Sequence, residues 1–184
     1  MMAERRKESR VKNQMPNPAL SRVLTLPQAR RWAAAARRRG CCIVATNGCF
    51  DLLHAGHASY LARARRLGDL LIVGLNSDRS VRSLKGPGRP LVPQRQRAAL
   101  LAELRSVDAV VIFPQRRALK FLAAIRPDVY VKGGDYRVET LDKSERALLD
   151  AIGTRICILP AVPGLSTTKL IARVGQTRRA CQAG

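Results

Sequence analysis

Residues 45–61 read ATNGCFDLLHAGHASYL and connect an apolar run to a segment with helical periodicity. The apolar run ends in TNG at 46–48, and two histidines, His54 and His57, bracket a glycine. A strand that passes through a tight turn into a helix presents unpaired backbone N–H groups, which bind anions. Two imidazoles at the same point would add side-chain donors, so this stretch predicts a phosphate-binding site.

The segments around this stretch alternate between short apolar runs and helical patterns. Strands are predicted at five places, 43–46, 69–76, 107–113, 128–131 and 154–159. Helices are predicted at 27–39, 58–67, 93–104, 116–125 and 143–152, with a last one from about 166 to 174. Strands that are apolar throughout are covered on both faces. The pattern therefore predicts an α/β fold, a three-layer α/β/α sandwich of Rossmann-like type with a parallel five-stranded sheet.

Four loops follow predicted strands and carry polar residues, at 47–57, 76–89, 132–136 and 160–168. Ligands of such sheets bind beyond the carboxyl ends of the strands. We therefore expect these loops to meet at one edge and to form one site.

Charge and length set the domain boundaries that we expect. The 184 residues include 34 Lys and Arg against 13 Asp and Glu, a net charge of +21. Residues 26–174 are predicted to form one domain, 1–25 a basic, disordered extension and 175–184 a flexible tail. The surplus suits polyanionic partners, from nucleotides to nucleic acid. A genome biased toward arginine codons would produce the same surplus.

The cysteines indicate a reducing compartment. Their number is odd and no two have CxxC spacing, so we expect reduced thiols in the cytoplasm. No apolar run approaches the length of a transmembrane helix, so no membrane role is expected. The five positions are Cys41, Cys42, Cys49, Cys157 and Cys181.

A metal site is the competing interpretation of the histidine pair. His54 and His57 are the only two histidines of the chain, and their i, i+3 spacing with Gly56 between them argues against two unrelated surface residues. Zinc would require a third protein ligand, and Cys49 has no suitable partner in sequence. We therefore expect no metal site made by protein ligands alone.

These residues carry a resemblance to a known family. The sequence GCFDLLHAGH at 48–57 resembles the GxFDxxHxGH signature of the cytidylyltransferase-like nucleotidyltransferases. The sequence GLSTT at 164–168 is similar to the second signature of that superfamily. Within it, the stretches 46–51, 84–90 and 131–136 resemble the adenylyltransferase branch of ADP-heptose synthesis. The resemblance covers about residues 26–174.

The resemblance implies a cytoplasmic enzyme, a homodimer, that transfers AMP from ATP to a heptose 1-phosphate and releases pyrophosphate, with Mg²⁺ as cofactor. Lipopolysaccharide synthesis is a pathway that ADP-heptose would serve. An alternative is a cytidylyltransferase that acts on glycerol 3-phosphate or on another polyol or sugar phosphate. A basic nucleic-acid-binding protein is an alternative of another class, although aromatic residues make up only 4% of the chain and no such motif is present. The basic extension would bind nucleic acid weakly.

The resemblance also assigns roles to particular residues. His54, His57 and Lys85 would be catalytic, because phosphoryl-type transfer depends on positioning and charge neutralisation. The predicted nucleotide-binding residues are Asn47, Gly48, Cys49, Phe50, Gly56, Asp135, Ser166, Thr167 and Thr168. The predicted ligands of the acceptor phosphate are Asp51, Arg97 and Lys132. Mg²⁺ would be held through the ATP phosphates, with Asp135 as the protein residue that could help.

Overall fold

The computed structural model describes residues 22–134, 138–160, 167, 170 and 171. Its six strands form one parallel sheet in the order β1-β4-β3-β2-β5-β6. The strands are β1 Val23–Leu24, β2 Ile43–Gly48, β3 Leu70–Asn76, β4 Ala109–Phe113, β5 Val129–Gly133 and β6 Arg155–Leu159. The helices are α1 Leu26–Arg38, α2 Ala55–Arg65, α3 Asp78–Lys85, α4 Gln94–Glu103, α5 Leu119–Ile125 and α6 Lys143–Ala151. The predicted α/β class and parallel sheet are confirmed.

The sheet has one strand more than the five predicted. Val23 and Leu24 form β1 and pair with Val110 and Val111 of β4. Two residues are too few to show a period of two, so the strand left no pattern in the sequence. Thr25 then caps α1 by accepting a hydrogen bond from the backbone N–H of Gln28. The predicted extension 1–25 thus includes residues of the sheet, whereas residues 1–21 lie outside the described part.

Several helix boundaries also differ from the predictions. The helix predicted at 58–67 begins at Ala55, so the histidines lie at its first turn. The helix predicted at 116–125 begins at Leu119. A short helix, α3, precedes Gly86 and is capped by Ser77, which accepts from the backbone N–H of Ser80. Of the last predicted helix, Thr167, Leu170 and Ile171 are helical, and the rest of it and the tail 175–184 lie outside the described residues.

Helices cover both faces of the sheet. On one face α2 and α4 contribute Leu61 and Leu101 to a core with Val73 of β3. On the other face α1, α5 and α6 pack against the sheet, with Phe121 and Ile72 in that second core. Strands β2 to β5 are largely buried on both sides, as their sequences predicted, whereas the edge strand β6 is only partly buried.

The connections of the sheet determine where a ligand can bind. Strand β2 lies between β3 and β5, so the chain winds to one side of β2 first and then to the other. The crevice at such a switch point, beyond the carboxyl ends of the strands, is the usual ligand site of open α/β sheets.

Among the described residues, no helix is both long enough and apolar enough to cross a bilayer.

Candidate functional site

A cleft of about 1360 Å³ opens at this switch point. It brings together most of the residues predicted from sequence, namely Asn47, Gly48, Cys49, Phe50, Asp51, His54, Gly56, His57, Lys85, Lys132 and Thr167. Arg97 does not line the cleft. Asp135, Ser166 and Thr168 lie outside the described residues. The expectation that separate loops meet at one edge is therefore confirmed for the loops that the structure describes.

The two histidines stack at the start of α2. Their ring centroids are 3.9 Å apart with 28° between the planes. His54 is the N-cap residue, and its carbonyl accepts the backbone N–H groups of His57 and Ala58. Nδ1 of each ring is buried and has no well-oriented hydrogen bond to any described residue. Both rings lie at the N-terminal end of α2, beside the positive end of its helix dipole.

Both imidazoles are neutral at physiological pH. The pKa of His57 is lowered to about 4, chiefly by burial and also by the neighbouring His54, while a hydrogen bond with the backbone of Leu52 opposes the shift. Burial also lowers the pKa of His54. A neutral imidazole donates from only one nitrogen, so each ring can offer one N–H to a ligand.

The turn before the histidines depends on a close contact between Gly48 and Phe50. Phe50 has φ 44°, in the left-handed region, and its ring lies 5.3 Å from that of His57. A Cβ on Gly48 would lie 3.0 Å from the Phe50 ring. Since real Cβ atoms are rarely that close, the glycine permits this ring to pack behind the histidine.

The prediction that Arg97 binds the acceptor phosphate does not agree with the structure. The Arg97 side chain is fully buried. Its guanidinium donates to the carbonyl oxygens of Val92 at 2.9 Å, Asn76 at 2.9 Å and Cys49, and to the Asp78 carboxylate at 2.7 Å. These acceptors occupy four of its five N–H donors, so Arg97 fixes the loops of the cleft and does not face a ligand.

Asp51 is likewise engaged within the protein. Its Oδ1 accepts the backbone N–H groups of Leu91 at 2.8 Å and Val92 at 3.0 Å. Its Oδ2 lies 3.2 Å from Nε of Arg89. A carboxylate would repel a phosphate, so the predicted role as a direct phosphate ligand gives way to that of an anchor for residues 89–92.

Lys132 forms the floor of the cleft with Asn47. The ammonium donates to Asn47 Oδ1 at 2.9 Å and lies 5.5 Å from the centre of the Tyr130 ring, whose hydroxyl also donates to Asn47. Burial lowers the pKa of Lys132, and Glu145 opposes that shift. The predicted Asn47 and Lys132 are therefore parts of one buried network at the ends of β2 and β5.

Cys49 lies among the cations of the cleft. Burial raises the pKa of its thiol, whereas Lys85, Arg97 and Lys132 lower it. Lys85 is exposed and ends α3, directly before the Gly/Pro-rich loop. The thiol is neutral, and its surroundings are positive, which favours anionic ligands.

The cleft also contains residues that sequence reasoning missed. Tyr60 donates from its hydroxyl to the Val131 carbonyl at 3.0 Å, and its oxygen lies 2.7 Å from that of Thr46. The tyrosine could have been found from its position one helical turn after His57. The other missed lining residues with a charged or amide side chain are Asn76, Arg89, Arg116, Arg117, Asp142 and Glu145. In a chain with so many arginines, no local pattern singles these arginines out.

Among the described residues, no group of three or more His, Cys, Asp or Glu could hold a metal ion. The carboxylates that line the cleft already have partners. Asp142 accepts the backbone N–H groups of Ser144 and Glu145 and pairs with Arg117 at 2.7 Å. Glu145 accepts the backbone N–H of Ala118 at 2.6 Å.

Comparison with known proteins links this site to a family. The family model described as cytidylyltransferase-like matches residues 45–173. Bifunctional protein HldE of Syntrophotalea carbinolica is 51% identical over 138 residues, which are 75% of this chain and 28% of that protein. HldE of Koribacter versatilis is 50% identical over 155 residues, 84% of this chain and 32% of that protein. The chain thus spans less than a third of the length of these curated relatives.

Solved structures agree with the fold. The lipopolysaccharide core biosynthesis protein from Thermoplasma volcanium superposes with a TM-score of 0.55 at 29% identity, over 67% of this chain and 98% of that chain. Pantoate-beta-alanine ligase from Francisella tularensis gives a TM-score of 0.50 at 15% identity, over 80% of this chain and 74% of that chain. The second likeness concerns the fold alone.

Replacing Arg97 tests its structural role. Arg97→Met should lower the free energy of unfolding by about 3–5 kcal/mol, because Asp78 loses its buried partner and several carbonyls lose a donor. Urea denaturation measures the loss. Arg95→Met, an exposed change two residues away on the same helix, should alter the value by less than about 0.5 kcal/mol. Equal stability of the two variants would contradict the assignment.

The low pKa of His57 predicts a loss of stability in acid. The unfolded residue takes up its proton near 6.5, whereas the folded one does so near 4. The free energy of unfolding should therefore fall as the pH is lowered from about 6.5 to 4, by about 1–2 kcal/mol for a partly exposed ring. Urea denaturation across this range measures the slope. His57→Asn should reduce it, and an unchanged slope would contradict the shift.

Proposed function

The chain belongs to the cytidylyltransferase-like family of nucleotidyltransferases, and from that premise we propose that it transfers AMP from ATP to a heptose 1-phosphate, giving ADP-heptose and pyrophosphate. The observation that carries the proposal is the stacked pair His54–His57 at the start of α2, inside a cleft lined by cations. A nucleotide is the substrate that the family implies. The choice of ATP and of a sugar phosphate is our inference.

The choice of acceptor rests on the sequence of the cleft. The stretches 46–51, 84–90 and 131–136 resemble the ADP-heptose branch, and the described parts of all three contribute residues to the cleft. Relatives near 50% identity carry the name HldE, and a structural relative is named for lipopolysaccharide core biosynthesis. A sugar phosphate is the acceptor that fits these likenesses best.

In the proposed reaction an oxygen of the sugar 1-phosphate attacks the α-phosphorus of ATP. A new P–O bond forms, and the bond between the α-phosphorus and the bridging oxygen breaks, with its electron pair leaving on pyrophosphate. The attacking phosphate oxygen is already anionic at neutral pH, so the reaction needs no strong base. The protein must hold the reactants in line and neutralise their charge.

The histidines suit this role because they are neutral donors. One N–H of each imidazole, His54 and His57, would donate to the phosphate oxygens as charge develops on them, and the start of α2 would add backbone N–H groups. Gly56 lies in the first turn of α2, where the absence of a Cβ permits a phosphate to approach. Lys85, at the end of α3, and Lys132, in the floor of the cleft, would neutralise the charge of the phosphates. Thr167 would contact the leaving phosphates.

We propose Mg²⁺ as the cofactor, bound chiefly by the phosphates. The carboxylates that line the cleft already have partners, and Asp135 remains the predicted protein ligand. When bound, the ion would withdraw charge from the phosphate oxygens. A cytoplasmic location is proposed with it, because ATP and sugar phosphates are cytoplasmic metabolites. The homodimer and the weak nucleic-acid binding of the basic extension stay predictions.

A matrix of substrates tests the proposal. ATP and CTP, each with heptose 1-phosphate, glycerol 3-phosphate or another sugar 1-phosphate, are compared by the release of pyrophosphate. We expect turnover with ATP and heptose 1-phosphate to exceed every other pair by at least about tenfold in kcat/KM. Turnover with CTP alone, or with glycerol 3-phosphate in preference to the sugar, would contradict the proposal and favour the cytidylyltransferase alternative.

The histidine pair can be tested separately. His57→Ala should lower kcat by about 10²–10³-fold, since a lost transition-state donor has an effect of that size. Pyrophosphate release measures the rate, and circular dichroism checks that the fold persists. His57→Gln, which keeps an N–H donor, should recover part of the rate. An alanine variant with near-normal kcat would remove the histidine from the mechanism.

A further inference from the structure

A first wall of the cleft, which is cationic, lies on the β3 side of the central strand β2. Lys85 at the end of α3 and Arg89 in the following loop both line the cleft. On the other side lies Pro160, just after β6, and Thr167, seven residues further along the chain, also lines the cleft. The Pro160 carbonyl accepts from Arg63 of α2 at 3.1 Å, which joins that wall to the histidine helix. The histidines therefore lie between two walls that face each other across the cleft.

Asp51 holds Arg89 in its place on the first wall. The carboxylate is 4% exposed, and its Oδ2 lies 3.2 Å from Nε of Arg89. The same carboxylate binds the backbone N–H groups of Leu91 and Val92 through Oδ1. The Asp51 carboxylate thus binds both the Arg89 side chain and the backbone that follows it, and this restricts the positions that the Arg89 side chain can adopt.

This ion pair leaves donors of the guanidinium unused. The contact that joins the two groups runs from Nε of Arg89 to Oδ2 of Asp51. Nη1 of Arg89 and Oδ2 of Asp51 are buried without a well-oriented hydrogen bond to any described residue. The Arg89 side chain is still 22% exposed. A cationic group with unused donors at the wall of a cleft is suited to a bidentate anion such as a phosphate.

We propose that Arg89, positioned by Asp51, binds the phosphate of the acceptor and selects acceptors that carry one. The proposal rests on the proposed nucleotidyl transfer. In that reaction the attacking and leaving oxygens stand roughly in line across the α-phosphorus. With the α-phosphate at the histidines and pyrophosphate leaving toward Thr167, the attacking phosphate comes from the side of Lys85 and Arg89.

The first test separates the two substrates. In Arg89→Gln the KM for the acceptor phosphate should rise at least about tenfold, because one good charged contact has that effect, while the KM for ATP stays within about twofold. Arg95→Gln removes the same charge from an exposed position outside the cleft and should change neither constant. Equal increases for both substrates, or none for the acceptor, would overturn the proposal.

The second test asks whether Asp51 acts through Arg89. Asp51→Asn keeps an oxygen for the N–H groups of Leu91 and Val92 but loses the ion pair. It should raise the KM for the acceptor in the wild-type background and have no further effect in the Arg89→Gln background. A purely structural Asp51 would instead change the KM values of both substrates and the stability in both backgrounds. Additive effects of the two substitutions would exclude a positioning role.

A binding measurement separates this proposal from the choice of acceptor. Inorganic phosphate is titrated calorimetrically into the full chain, saturated with Mg²⁺ and a non-hydrolysable ATP analogue. We expect binding that weakens at least about tenfold in Arg89→Gln and not in Arg95→Gln. If no sugar phosphate is turned over but this dependence holds, the acceptor was wrong and the anion site stands. If turnover is as proposed but phosphate binding is absent, or is unchanged in Arg89→Gln, the assignment of the anion site to Arg89 is wrong.

Discussion

The buried guanidinium of Arg97 is the contact on which the geometry of the cleft depends. It joins the turn at Cys49, the end of β3 at Asn76, the loop before α4 at Val92 and the carboxylate of Asp78. Carbonyl groups at the ends of strands have no partner within the sheet, and a buried carbonyl without a donor is costly. One planar group with five N–H donors satisfies several of them at once. The loop that carries the histidines is thereby tied to the wall opposite it.

Charge is divided between the two edges of the sheet. At the amino ends of the strands, Asp69, Asp108 and Asp128 each accept a backbone N–H at 2.7–2.8 Å. At the carboxyl ends, the cleft contains Lys85, Arg89, Arg116, Arg117 and Lys132. The cations of the cleft favour the binding of an anionic substrate there. Some of the positive residues behind the net charge of +21 therefore line the cleft, and others lie far from it.

Burial gives the site donors without fixed charge at its centre. The pKa of His57 is lowered to about 4, and the pKa of His54 is lowered as well, so two stacked rings stay neutral beside each other. Two imidazolium groups at 3.9 Å would repel strongly. Neutral donors in a cleft that also contains cations suit a site that binds several phosphates and places its hydrogen bonds where the charge changes during transfer.

The sequence by itself determined the α/β class, the edge of the sheet that carries the site and the histidine pair. Those features depend on apolar periodicity and on residues within one turn of each other, such as His54 and His57. Only the tertiary structure decided which charged residues face the ligand. The sequence predicts that Arg97 is a phosphate ligand. In the structure its side chain is buried and donates to the carbonyls of Asn76 and Cys49, which lie 21 and 48 positions away. Strand β1 was missed because its pairing with β4, and not a local pattern, makes it a strand. Arg89 was not singled out because its partner, Asp51, lies far from it in the sequence.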